Sequence, residues 1–184
     1  MKLLVILMAV CLAGCKSYPR TVQSIEVAPG AEFELVDPAQ SAGFSALQKV
    51  TVFWAEHKLS FNVQLENTNG IFHLVGLTPV YSRSFLISFS KGIIDFKEHP
   101  YFRYPVNPEN MLADFQMAFL ETQALKNRKL EIKTYPGKRE FWKGEDLIQT
   151  IEYSSEDKWQ SEVNIINHKK NYRLKIKTLQ FENL

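Results

Sequence analysis

A two-residue hydrophobic period runs through most of this chain, and it limits the fold more than any other feature. Leu59, Phe61, Val63 and Leu65 alternate with Ser60, Asn62, Gln64 and Glu66, the pattern of a strand with one buried and one wet face. Phe85, Ile87 and Phe89 alternate with Ser84, Ser88 and Ser90 in the same way. Val50-Thr51-Val52-Phe53-Trp54 is a further β-prone run, and Phe33-Leu35 reads as a short strand. The habit returns at Leu130 and Ile132, at Leu147, Ile151 and Tyr153, at Trp159, Val163 and Ile165, and at Tyr172, Leu174 and Ile176. Arg173, Lys175 and Lys177, which interleave the last set, read as its solvated face. Asn67-Thr68-Asn69-Gly70 is a turn cluster between the first strand and the apolar run at 71–78, which includes Phe72 and Leu74, so this pair is expected to be a hairpin. Lys91-Gly92 turns the chain into a run at 93–96.

One segment departs from the period. Asn107-Pro108-Glu109 supplies an N-cap, a proline at the first helical position and an early acidic residue. Met111, Leu112, Phe115, Ala118, Phe119 and Leu125 follow at three- and four-residue spacings, which predicts a helix from 108 to about 125 lying against a sheet. Repeated βα alternation is absent, so a doubly wound fold is excluded. The expectation is a mainly β protein with helix (α+β), a curled antiparallel half-barrel wrapped over one or more helices, because bending lets a single sheet bury one face. The same alternation fits either a solid core or a space that admits a lipid tail.

The N-terminus bears on location. Lys2 precedes an apolar stretch from 3 to 12, and Leu12-Ala13-Gly14-Cys15 closes it. Positive, apolar and small segments in that order make a secretory signal, too short for the roughly 20 apolar residues of a membrane span. The ending resembles a lipobox, which implies removal of residues 1–14 and acylation of Cys15. Two or more such chains would anchor the protein stably. Lys16-Ser17 follows, without the aspartate that marks inner-membrane retention in many enterobacterial lipoproteins, so the periplasmic face of the outer membrane is expected. Residues 15–31 read as a lipidated tether and 32–184 as a single domain. The chain has 22 basic and 20 acidic residues and a net charge of +2, which becomes +1 once Lys2 is lost. That balance offers no basis for nucleic-acid binding. Of the two cysteines, Cys11 leaves with the signal and Cys15 carries lipid, so no disulfide or cysteine metal site is available to the domain.

Motifs for catalysis are sparse. Gly43-Phe44-Ser45 lacks the closing glycine of a nucleophile elbow. His57, His73, His99 and His168 are scattered without metal-ligand spacing. No catalytic residue, metal or cofactor is expected. Asp114 stands out, a carboxylate beside the apolar stripe of the helix that must find a donor. Arg83, the guanidinium of the central strand block, is a candidate partner; the carboxyl reads as a structural ion pair or a hydrogen-bonded helix anchor, or else as a general acid or a lipid head-group contact. Tyr101-Phe102-Arg103-Tyr104-Pro105 forms an aromatic loop before the helix, expected either to pack under the loop or to rim an opening.

Leu74-Val75-Gly76-Leu77-Thr78-Pro79, Arg83-Ser84-Phe85 and Met111-Leu112-Ala113-Asp114-Phe115-Gln116 together resemble a family of uncharacterised bacterial outer-membrane lipoproteins whose genes often sit beside those for aryl polyene or other lipid synthesis. The resemblance spans roughly 50 to 125, and Arg83 and Asp114 fall on positions that recur in it. That family is similar in turn to LolA and LolB, carriers of lipoproteins built as an unclosed barrel with a helical lid over an apolar cavity. The resemblance implies a non-enzymatic protein that binds or passes on a lipid or acylated ligand, with Phe61, Val63, Leu65, Phe72, Leu74, Phe85, Ile87, Phe89, Leu112, Phe115 and Phe119 as the cavity lining. A scaffold that recruits an envelope or biosynthetic protein is the alternative, and an ester hydrolase a more remote one. The polar tip at 67–70 departs from the exposed leucine loop of LolB.

Overall fold

The alternating segments pair into one antiparallel sheet of eleven strands. The computed structural model describes residues 19–77, 83–98, 107–125 and 129–184. The signal segment, Cys15, Thr78-Pro79, His99 and the aromatic loop at 101–105 lie outside the described residues. The strands are β1 (Arg20–Thr21), β2 (Ser24–Ala28), β3 (Ala31–Glu34), β4 (Phe44–Trp54), β5 (His57–Thr68), β6 (Ile71–Leu77), β7 (Arg83–Ser90), β8 (Ile93–Glu98), β9 (Glu131–Tyr135), β10 (Lys138–Lys143), β11 (Asp146–Tyr153), β12 (Glu162–Asn167) and β13 (Tyr172–Asn183). The sheet order is β1-β8-β7-β6-β5-β4-β13-β12-β11-β10-β9, while β2 and β3 form a separate hairpin.

This order is two meanders, β4 to β8 and β9 to β13, joined where the last strand pairs with β4 from Tyr172↔Trp54 to Asn183↔Phe44. The turns follow their residues. Asn69-Gly70 and Lys91-Gly92 both have φ near +50° and +70°, the two-residue geometry that matches the twist of paired strands. Asn67, by contrast, is a buried pin rather than part of the turn. Its side-chain amide donates to the carbonyls of Pro38, Ser41 and Ala42 at 3.2, 3.3 and 2.9 Å.

Because β8 lies near one edge and β9 forms the other, the chain between them must cross the sheet, and α1 (Pro108–Phe119) lies on that crossing. Asn107 caps α1 by accepting from the Asn110 amide at 3.0 Å. Every residue from Leu112 to Phe119 is buried, more than a helix resting on a sheet alone would show. The β2–β3 hairpin supplies the second cover. Ile25, Val27, Phe33 and Val36 join the same core, and the Gln116 amide grips the backbone of Val36 with two hydrogen bonds of 2.8 and 2.9 Å. The segment read as a tether to 31 is therefore corrected from residue 24 onward. Its polar residues are the outer face of a hairpin whose alternate residues pack on the core.

The helix boundary also differs. Leu120 turns extended at ψ 155, and a short turn, α2 (Thr122–Leu125), follows. The apolar spacing continues to Leu125, which is buried, but side chains cap the last carbonyls of α1 and end it. Arg139 donates to Met117 O at 2.7 Å and Leu120 O at 3.1 Å. Tyr153 Oη donates to Ala118 O at 2.7 Å, and Lys158 Nζ to Leu120 O at 3.2 Å. Cations at a helix C-terminus offset its dipole.

Gly76 shows why a strand interior here tolerates a residue of low β propensity. The ring of its cross-strand neighbour Phe85 lies over it, so that a Cβ at position 76 would sit 2.0 Å from ring carbon Cε1. Gly76→Ala is expected to destabilise the fold by about 2 kcal/mol, as overpacking does, read from the urea midpoint. Adding Phe85→Leu should cost less than the two changes summed, since the pair shares one space.

Candidate functional site

Three strand ends and one helix face border a partly open cavity of about 220 Å³. Val52 and Trp54 on β4, Leu59 on β5, and Tyr172 and Leu174 on β13 form its floor. Registers Tyr172↔Trp54, Leu174↔Val52 and Val52↔Leu59 set these side chains next to one another on the core side. The roof is the N-cap Asn107 together with Asn110, Met111, Asp114 and Phe115, and the last four, at three- and four-residue spacings, share one stripe of α1.

Asp114 is 3% exposed. Tyr172 Oη donates to both its oxygens, at 2.9 and 2.8 Å, and Gln149 Nε2 donates to Oδ1 at 3.2 Å. Burial pushes its carboxyl up to about 7, against the opposing pull of those two hydrogen bonds and of the Lys170 charge. The network continues inward: Asn167 Nδ2 donates to Gln149 Oε1 at 3.4 Å and to Val27 O at 3.0 Å. Burial and the neighbouring Asp114 raise the Tyr172 phenol far above its usual range, so it remains a donor.

The candidate partner Arg83 is not among the donors to Asp114. Arg83 is exposed at the start of β7, and among the described residues the groups holding Asp114 are Tyr172 and Gln149. Neutral donors, the Tyr172 hydroxyl and the Gln149 amide, take the place of a guanidinium at this depth.

The residues expected to line a cavity fall into two groups. Phe115 faces the 220 Å³ space. Leu65, Phe72, Phe115 and Phe119 border a void of only about 20 Å³. Val63, Leu74, Ile87, Phe89 and Leu112 are buried in the common core, and the half-buried Phe61 packs edge-on to Phe85 at 6.0 Å. Phe89 also borders a second, more polar hollow, and the more apolar space among the described residues lies at the β4–β13 seam. Val52, Trp54, Leu59, Tyr172 and Leu174 went unnamed as lining because alternation says which face is inward but not where helix and sheet fail to meet.

Two other hollows differ in kind. One of about 420 Å³ is bordered by Gln23, Ser24, Glu34, Asp37 and Lys129 and is largely polar. The other, about 310 Å³, runs past Phe44, Phe119, Trp159 and Phe181, where Trp159 stacks between Phe119 and Phe181 at 4.6 and 4.5 Å. His73 shares a hydrogen bond with Ser88 at 3.0 Å and His168 with Thr150 at 2.9 Å. Among the described residues no three His, Cys, Asp or Glu side chains group as a metal site, and no helix is long and apolar enough to cross a membrane.

No curated protein matches the sequence. Among solved structures, the chain is similar to a LolA superfamily protein from Nitrosomonas europaea, at 11% identity and TM-score 0.49, covering 79% of this chain and 87% of that one. It is also similar to a domain from Vibrio parahaemolyticus described as an outer membrane lipoprotein-sorting protein, at 10% identity and TM-score 0.46, covering 77% and 85%. A family profile described as protein of unknown function (DUF3261) matches residues 45–180, which takes in β9 to β13 as well as the helix and the strands before it. With the match running from the start of β4 nearly to the end of β13, the chain belongs to the DUF3261 family.

Proposed function

We propose that this protein is a non-enzymatic lipoprotein, anchored through Cys15 at the periplasmic face of the outer membrane, that takes up an acyl chain of a lipid or lipidated ligand. The observation that carries this reading is the apolar cavity under the first turns of α1. Its volume of about 220 Å³ exceeds the roughly 150 Å³ of an apolar cavity that binds benzene, and each methylene entering it contributes about 0.8 kcal/mol. Among the described residues no serine or histidine is hydrogen-bonded to Asp114, whose partners are Tyr172 and Gln149, and this favours binding over hydrolysis.

The sheet is proposed to curl around α1 as a half-barrel. Eleven strands laid flat would span about 48 Å at 4.8 Å per strand, whereas the helix of 12 residues is only about 18 Å long. Bending is the economical way to give so wide a sheet one shared core. In this reading, Phe61, Val63, Leu65, Phe72, Leu74, Phe85, Ile87, Phe89, Leu112 and Phe119 would receive a longer chain only if the segments packed on them gave way. A setting in lipid biosynthesis belongs to the same proposal.

The test uses full chain carrying Cys15→Ser, purified without detergent. It should bind N-phenyl-1-naphthylamine with a rise in fluorescence and release it to decanol. Met111→Trp, which fills the space, should weaken binding at least tenfold while leaving the circular dichroism unchanged. Metabolic labelling with palmitate should tag the wild type but not Cys15→Ser. A wild-type cavity that neither takes up the dye nor carries lipid in native mass spectra sinks the carrier reading.

A further inference from the structure

We propose, building on the acyl-binding reading, that this cavity selects amphiphiles whose polar end donates hydrogen bonds, a hydroxyl or an ammonium group, and disfavours chains that end in a carboxylate. Asp114 is the selecting group. It lines a cavity whose apolar walls are Val52, Trp54, Leu59, Met111, Phe115 and Leu174, with Tyr172, Asn107 and Asn110 as the other polar groups and Asp114 as the one carboxyl, so a chain lying against the apolar walls brings its polar end to this carboxyl.

The acceptor capacity of Asp114 is not exhausted. A carboxylate has about four acceptor sites, yet Tyr172 has a single proton for both oxygens and Gln149 adds one N–H. The nearby ammonium does not fill the gap. Lys170 Nζ donates to Glu26 O at 2.7 Å and to Asn110 Oδ1 at 3.1 Å, and it influences Asp114 only through space. A ligand hydroxyl or ammonium supplies the missing donor where a hydrogen bond to a charged group is strongest. A ligand carboxylate in the same place forces two like charges together, and one must take a proton to stay.

The experiment is displacement of bound N-phenyl-1-naphthylamine from full chain carrying Cys15→Ser, at pH 8, by decanol, decylamine and decanoate, which share a chain length. Decanol and decylamine should bind at least tenfold tighter than decanoate. Asp114→Asn should narrow that gap to within threefold while the circular dichroism is unchanged. If Asp114→Asn fails to fold, calorimetry of decylamine binding at pH 7 in buffers of different ionisation enthalpy decides: proton release is expected, because an ammonium favours the ionised carboxyl, and its absence overturns the assignment. Three competitors within threefold of one another, or decanoate the tightest, overturn the selection but leave acyl binding standing. Failure of all three to displace the dye overturns both.

Discussion

Arg139→Met should lower the unfolding free energy by about 4 kcal/mol, the largest loss expected from a single change outside the apolar core. Arg139 is 3% exposed and sits on the core side of β10, where Nη1 reaches Met117 O and Leu120 O and Nη2 reaches Thr122 Oγ1 at 3.0 Å. The helix ends at Phe119 without a glycine beyond it, so its last carbonyls lack the left-handed cap that commonly accepts this duty. Methionine keeps most of the volume but donates nothing. Met117 O then stays buried without its donor, at about 1–3 kcal/mol, and the cation facing the negative helix end is lost, worth up to about 2 kcal/mol in a partly buried site. Urea denaturation at neutral pH measures the sum. Arg139→Lys should recover part of it, since one ammonium keeps the charge but not the forked reach. Tyr153→Phe, which removes only the bond to Ala118 O, should cost about 1 kcal/mol. A loss below 1 kcal/mol for Arg139→Met would mean that Lys158 and Tyr153 suffice to close the helix.

The same residues show which parts of this fold are visible in a linear reading. Alternation in β5 and β7 and the Asn-Gly and Lys-Gly turns are local, and strand positions followed from them. The cap at Asn107 and the stripe from Met111 to Phe119 placed α1 for the same reason. The end of α1 was not local: it depends on Arg139, Tyr153 and Lys158, which lie 20 to 40 positions later. The β2–β3 hairpin was obscured because its outward residues, Glu26, Glu32 and Glu34, outweigh in composition the inward Ile25, Val27 and Phe33. Asp114 was identifiable as a carboxyl needing donors, but its partners were not. Tyr172 read as one more apolar member of its strand, although its hydroxyl is what matters. Gln149 carried a usable signal, since it is polar at a core-side position between Leu147 and Ile151. Polar residues at inward positions of otherwise apolar alternation, as at Arg139, Gln149 and Asn167, mark where a sheet meets the backbone or a carboxyl on another element.

Raising the pH from 5 to 8 should reduce stability by about 3 kcal/mol through Asp114 alone, and Asp114→Asn should remove that slope. The carboxyl titrates near 3.8 when exposed and at about 7 in the fold. Above pH 4 the unfolded chain has released this proton while the native protein keeps it, so stability falls as pH rises toward 7 and levels off above it. Each unit of difference is worth about 1.4 kcal/mol, and roughly two units separate the two ends of this interval. The groups facing Asp114 do not reverse the sign. Tyr172 on β13 stays protonated throughout, Gln149 on β11 is neutral, and Lys170 on the β12–β13 turn acts only through space. Glu32, Glu140 and Asp146 are held below the usual carboxylate range by Lys129, Lys138 and Lys169; their effect is opposite in sign, a gain of stability as pH rises, and it is common to the wild type and Asp114→Asn. Subtracting the Asp114→Asn profile from that of the wild type, each from urea midpoints at half-unit steps, isolates the one group. A difference profile that is flat, or that rises with pH, would mean that Asp114 ionises freely in the fold and that the cavity beside it already admits water to the carboxylate.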